Sequence, residues 1–412
     1  MGAQANTAAD VIIVGGGLVG ATLAIALVES GLRIRVVDPV TAAAPTQPSY
    51  DDRSTALSPT SQRILEALGL WPAIAAEAAP IRTIHVSDQR SFGITRMHAE
   101  REGLKALGHV VPNRVLGRVL RERIAALPAT VQPVTARVER VESGAEVAQV
   151  VLDDGASLTA RLLVAADGTR SALRKHLGID VRDTAYHQCA VVANVTPAQA
   201  PNGRAFERFT PEGPLALLPL PGGHCSLVWT VSPERGQRLA GLDDGDFLAA
   251  LQAAFGYRLG RFLQVGQRFV YPLSLSRSGQ RVAERSVLIG NAARTLHPVA
   301  GQGFNLALRD VAELAERVHG AALRGEDPGA TALLQAYAAA RQGDHRRVTL
   351  MTDGLVRLFS NRLPGLRFAR NVGMVAMELL PAGRARFMRQ AMGRGNRLPR
   401  LARGLPLEGG HG

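Results

Sequence analysis

Cysteine is nearly absent: two residues in 412, Cys189 and Cys225. That excludes a disulfide framework and a cysteine-ligated zinc or iron–sulfur site. Both read as small buried hydrophobes. Aromatic residues are only 4%, so no ring-rich platform for stacking bases accompanies the basic charge, which argues against a nucleic-acid partner. No uncharged apolar run reaches membrane-spanning length, and no basic segment followed by an apolar one opens the chain. The expectation is a cytoplasmic protein. Acidic residues are in deficit, 35 against 48 Lys and Arg, for a net charge of +13. The deficit is concentrated at one end. From Arg346 onward thirteen arginines face only Asp353, Glu378 and Glu408, so ten of the thirteen net charges sit in the last 67 residues. Such a tail suits a polyanionic surface. Apolar residues, at 46%, are ample for a core, and the length allows two or three domains.

The chain is organised around Asp10 to Asp38. Val11 to Val14 is β-branched and suits a strand buried on both faces. Gly15, Gly17 and Gly20 give G-x-G-x-x-G where strand turns into helix: one glycine for the tight turn, one for close approach to a pyrophosphate, one for helix–strand packing. The helix start offers free N–H groups and a positive dipole end to the phosphates. Leu18 to Ser30 continues as an apolar helix stopped by Gly31. Arg33 to Val37 is the next strand, ending at Asp38, about 20 residues past the motif, where a ribose hydroxyl is usually held.

Further along, Arg53 stands between a loop and a helix predicted over Thr60 to Leu70. It reads either as a ligand contact or as a solvated arginine. Asn113 to Leu127 is helical, with Arg114 and Arg118 in its first turns. Val134 to Glu142 and Val147 to Leu152 read as antiparallel strands. Arg161 to Arg174 delivers Asp167-Gly168 to the end of a buried strand, where open α/β sheets bind ligands; a plain turn aspartate is the other reading. Period-two patterns dominate residues 178–276 and predict a mostly antiparallel sheet with a helix near Phe247 to Phe255. Ser286 to Gly290 is again a buried strand. Gly301 and Gly303 precede a helix whose start suits a polar or anionic group. His297 reads as a core or loop histidine or as a catalytic base. Thr331 to Arg341 is helical, and the remainder is helical and basic.

These stretches together resemble the single-component FAD-dependent aromatic hydroxylases. G-x-G-x-x-G-x(3)-A-x(6)-G, with Ala24 and Gly31, is similar to the FAD-binding form of the motif. Asp167-Gly168 matches the family's D-G stretch. Pro298, Gly301, Gln302, Gly303 and Asn305 match P-x-x-G-Q-G-x-N. Asn291 stands where most of the family has Asp, and Arg294 where most has His. An amide still hydrogen-bonds a ribityl hydroxyl but carries no charge. G-N-A-A-x-T-L-H-P, D-D-R-S-T-A-L-S, I-H-V-S-D and T-D-G-L-V-R-L-F-S-N resemble the ubiquinone-biosynthesis branch acting on 2-polyprenyl-6-methoxyphenol.

The resemblance implies an α/β protein. A Rossmann-like FAD-binding domain would use residues 1–77, 106–177 and 277–345. A mostly antiparallel substrate domain would use 78–105 and 178–276, and a helical basic region 346–412. It implies FAD held by Gly15, Gly17, Gly20, Asp38, Arg53, Arg114, Asp167, Asn291, Gly301, Gln302, Gly303 and Asn305, with no metal. NAD(P)H supplies reducing equivalents, and dioxygen supplies the hydroxyl placed on an electron-rich ring; the flavin does the difficult chemistry. The lone dinucleotide fingerprint argues against a separate NAD(P)H domain. Expected partners are a polyprenylated phenol, a membrane surface met peripherally through the basic tail, and a complex of ubiquinone-biosynthesis proteins. Competing readings are another FAD aromatic hydroxylase and a catalytically silent flavoprotein scaffold.

Overall fold

The computed structural model describes residues 8–40, 53–89, 94–296, 301–360 and 397–407, with side chains of the helix ending at Ser360 described to residue 354. His297, Pro298 and the stretch 383–392 lie outside the described residues.

The β-branched run of β1 (Ala8–Val14) is buried on both faces, so it takes a central place in a parallel sheet. On one side it pairs with β2 (Ile34–Asp38), on the other with Ser157–Ala165, both in parallel. Val131–Thr135 and Ser286–Leu288 extend the parallel core outward. The apolar helix α1 (Leu18–Ala26) connects β1 to β2 and is almost wholly buried. Its last turn tightens to a 3₁₀ turn over Val28–Ser30, and Gly31 ends it in left-handed conformation.

A nine-stranded sheet is the second layer. Its strands are antiparallel except where Arg204–Phe209 runs parallel to Thr83–Asp88. One face carries Phe206, Leu217, Trp229 and Val191 against Phe247, Leu251 and Phe255 of the Asp244–Phe255 helix. A small sheet containing β3 (Ser54–Leu57) packs between the two layers, joining Ile81, Val110 and Ala56 to Ala205 and Leu218. The helix α2 (Pro59–Ala67) follows β3, capped by the Ser58 hydroxyl accepting the Ser61 N–H.

Three local expectations change. Val134 to Glu142 is not one strand: Val131–Thr135 pairs with β2, while Val138–Ser143 pairs with Ala148–Leu152. The partners lie on opposite sides of Ala136 and Arg137, so the chain breaks there. The helix expected over Thr331 to Arg341 runs on to Ser360, because Tyr337, Val348 and Thr352 continue its buried stripe. Residues 397–407 form a 3₁₀ turn at Leu401–Arg403 rather than an α-helix.

Candidate functional site

The ends of β1, β2 and the Ser157–Ala165 strand meet at the glycine turn. Gly15 has φ +104°, and a Cβ there would lie 2.5 Å from the Ala166 carbonyl oxygen. A Cβ at Gly20 would lie 1.9 Å from the Gly15 carbonyl oxygen. Backbone therefore meets backbone at both places, which only glycine permits. Gly17 caps α1 without a side-chain bond, and no acidic residue occupies the first turn. The helix thus presents its N–H groups and positive dipole end where a pyrophosphate fits.

Asp38 closes β2. Its Oδ2 accepts the Gly16 N–H at 2.5 Å and its Oδ1 the Val40 N–H at 2.8 Å. These bonds take two of the roughly four acceptor sites of a carboxylate. Asp167 follows the Ser157–Ala165 strand, its backbone against Gly15. Its Oδ2 accepts the Leu173 N–H at 3.1 Å, while Oδ1 is buried without a hydrogen-bond partner among the described residues. Such an oxygen is costly unless a ligand supplies the donor. The buried Arg174 donates to the carbonyls of Ala292, at 2.8 Å, and Thr169, at 3.0 Å. It ties the Asp167 loop to the Gly290–Ala292 turn. In that turn Gly290 rests on Val19 of α1 and the Asn291 side chain is exposed.

The long helix Gln302–Leu323 packs on α1 and on that turn. It starts at Gly301, left-handed with φ +59° and set against Ala56 of β3. Gln302 is buried, and a Cβ at Gly303 would meet none of the described residues. Asn305 is buried and fully engaged. Its Oδ1 accepts from Ser58 N at 2.8 Å and Ser61 Oγ at 2.6 Å, and its Nδ2 donates to the Ala56 and Gly301 carbonyls, each at 2.8 Å. Its side chain holds the helix start in place.

Arg53 stacks over the Tyr271 ring at 4.7 Å. Arg114 is exposed and ion-paired to Glu77 at 3.4 Å. The structure thus gathers Gly15, Gly17, Gly20, Asp38, Asp167 and Asn291 around one turn. It sets Gly301 to Asn305 at the next helix start, and gives Arg53 and Arg114 partners of their own, Tyr271 and Glu77. Arg294 is a tie: it donates to the His345 carbonyl at 3.1 Å and to the Thr349 hydroxyl. Burial, with Arg281 and Arg277 nearby, pushes its guanidinium down to about 10.

Two residues escaped the sequence reading. Gly16, between the motif glycines, anchors Asp38; three glycines in a row were the available signal. Glu207 was hidden, because R-A-F-E-R-F carries charge on both faces of its strand. Its register partners are Val86 and Ala216. Through Val228, Thr230 and Ala190, the pairing puts Tyr271 on the same face. This face turns away from the Asp244–Phe255 helix, and farther along it Ala205 packs near Ala56, the neighbour of Gly301. Burial among these apolar neighbours pushes the Glu207 carboxyl up to about 7. The result is a largely apolar sheet face carrying the Glu207 carboxyl, alongside a cradle for a dinucleotide.

Residues 8–352 match the family model described as an FAD binding domain. Over 407 residues the chain is 42% identical to the ubiquinone hydroxylase UbiL of Rhodospirillum rubrum, covering 98% of this chain and 95% of that one. It is 32% identical to the 3-demethoxyubiquinol 3-hydroxylase of Escherichia coli, covering 94% and 99%. Among solved structures, p-nitrophenol 4-monooxygenase PnpA of Pseudomonas putida shares the fold, with a TM-score of 0.77 at 19% identity over 95% of this chain and all of that one.

Proposed function

The chain belongs to the FAD binding domain family, and from that premise we propose that it hydroxylates the aromatic ring of a polyprenylated methoxyphenol in ubiquinone biosynthesis. The observation that carries this reading is the end-to-end similarity to a ubiquinone hydroxylase, together with an apolar face beside the cofactor cradle. FAD fits the residues present. The start of α1 would hold the pyrophosphate, Asp38 would accept from a ribose hydroxyl, and the orphaned Asp167 Oδ1 would take a donor. Asn291 and the Gly301 turn would hold the flavin end. When bound, FAD supplies the reductive activation of dioxygen, with NAD(P)H as electron source.

The chain's own residues do the rest. The sheet face holding Val86, Ala216 and Val228 excludes water from the ring. Glu207, poised near neutrality, accepts the phenol hydroxyl proton on a carboxylate oxygen, which raises electron density on the ring to be hydroxylated. The basic C-terminal stretch brings the enzyme to the bilayer where a polyprenylated substrate resides.

Purified protein should be yellow, and should couple NAD(P)H oxidation to a product heavier by one oxygen. Mass spectrometry of the quinone precursor accumulating in a deletion strain identifies the ring position. The name of the Escherichia coli relative favours a second reading at a different ring carbon, and the mass of that precursor separates the two. An unchanged quinone pool after deletion would remove both.

A further inference from the structure

A second charged cavity lies away from the flavin cradle. It has a volume of about 350 Å³ and opens between the Gln302–Leu323 helix, the Thr331–Ser360 helix and residues 397–399. Arg309, at its wall, is eight residues along the helix from Gly301, roughly 12 Å at 1.5 Å per residue.

The charge in this cavity is unbalanced. Five arginines line it against three carboxylates. The acids are committed: Asp344 accepts from Arg309 Nε at 2.8 Å and from Arg341 at 2.7 Å, Glu313 pairs with Arg317 at 2.7 Å, and Glu316 accepts the Arg400 backbone N–H. Arg309 is only 2% exposed, yet its two terminal nitrogens have no hydrogen-bond partner among the described residues. Arg347 and Arg397, at the rim, have no carboxylate partner among the described residues. A buried guanidinium always carries its charge and offers a rigid fork of donors. Leaving the end of that fork empty is costly, and a tetrahedral oxyanion satisfies it with charge-assisted bonds.

We propose that this cavity is a binding site for a phosphate group, with Arg309 as its buried donor and Arg347 and Arg397 as its outer contacts. The volume admits a phosphate and a small organic body. A free phosphate compound and a phospholipid headgroup share this chemistry.

The test is calorimetric titration of the full, FAD-loaded chain with inorganic phosphate and, separately, with dihexanoyl phosphatidylglycerol below its micelle concentration. Saturable one-site binding of either supports the site. Tighter binding of the lipid, by tenfold or more, assigns it to a headgroup; equal or tighter phosphate binding assigns it to a free phosphate compound. Arg309→Met should weaken binding at least tenfold, and so should the Arg347→Ala/Arg397→Ala double variant, which serves if the first fails to fold. Both should keep full flavin absorbance, which separates this site from the cradle. No saturable binding of either probe, or variants that bind like wild type, overturns the proposal.

Discussion

The Asp38 carboxylate and the Gly16 N–H are joined by a 2.5 Å hydrogen bond, which locks the end of β2 to the turn that ends β1. The acid proposed to hold a ribose hydroxyl is therefore oriented by the turn proposed to approach the pyrophosphate. Asp38→Ala removes an acceptor from both Gly16 and Val40 and a contact from the cofactor. Hydrogen bonds to charged groups are worth about 1.5–3 kcal/mol, so flavin affinity should fall by roughly ten- to a hundredfold. The ratio of flavin to protein absorbance after purification reads this directly. A fully loaded variant would mean that Asp38 serves the turn alone.

Gly20 and Gly303 make a matched pair. Gly20→Ala drives a Cβ into the Gly15 carbonyl, 1.9 Å away, so it should lower the melting temperature and the flavin content together. Gly303→Ala meets nothing among the described residues and should stabilise the flavin-free fold by up to about 1 kcal/mol, as helix propensity dictates. If Gly303 flanks the flavin as proposed, flavin content should nevertheless fall. Unchanged flavin binding by Gly303→Ala would move the cofactor away from this helix start.

Asn305 joins β3, α2 and the Gly301 turn through four hydrogen bonds. Asn305→Ala leaves a buried N–H and two carbonyls without the amide, at about 1–3 kcal/mol for each unmet group. A loss of at least 3 kcal/mol in denaturant unfolding is expected, with flavin loss following from the misplaced helix start. Ser61→Ala, which removes the hydroxyl's bonds to Asn305 and to the Ser58 hydroxyl, should cost about 1–2 kcal/mol. Equal stability of Asn305→Ala and wild type would show these bonds to be energetically empty.

Glu207 gives a signed pH dependence. Its carboxyl sits at about 7 in the fold, against an ordinary value of 4.5. Between those two values the unfolded chain releases this proton while the folded protein keeps it, so stability falls as pH rises through that window and is flat above it. Glu207→Gln should remove the slope and be more stable than wild type at pH 8, by roughly 1–3 kcal/mol. Hydroxylation by the variant should lose the rise in kcat near pH 7. A profile identical to wild type would exclude Glu207 as the proton acceptor.

What could be read from the sequence was local. β1, the glycine turn, α1, β2 and Asp38 form one contiguous unit, and each residue type there answers a backbone or dipole requirement of its immediate neighbours. The engagement of Asn305 was not readable, because its side-chain partners Ser58 and Ser61 lie 247 and 244 residues away. Glu207 was not readable either. Its facing depends on register with Val86 and Ala216, and nothing within its own strand distinguishes it from Arg208. The split between Val131–Thr135 and Val138–Ser143 has the same origin: strand partners chosen far away in the chain decide where a strand ends.

The basic C-terminal stretch supplies the last prediction. In the sequence, Gly383 to Met392 places Phe387, Met388, Ala391 and Met392 on one side of a helical projection and Arg386 and Arg389 on the other, the pattern of an interfacial helix. Each basic residue near an anionic bilayer contributes on the order of 1 kcal/mol, so several suffice for reversible attachment. Wild-type protein should sediment with anionic liposomes and be released as salt shortens the screening length. Truncation after Pro381 should abolish sedimentation. The truncation also removes Arg397, so the Arg397→Ala variant is the needed control: it retains the interfacial stripe and should still sediment. Equal binding by truncated and full-length protein would place the membrane contact elsewhere, and loss of binding by Arg397→Ala alone would assign it to the arginine-lined cavity instead of the amphipathic stripe.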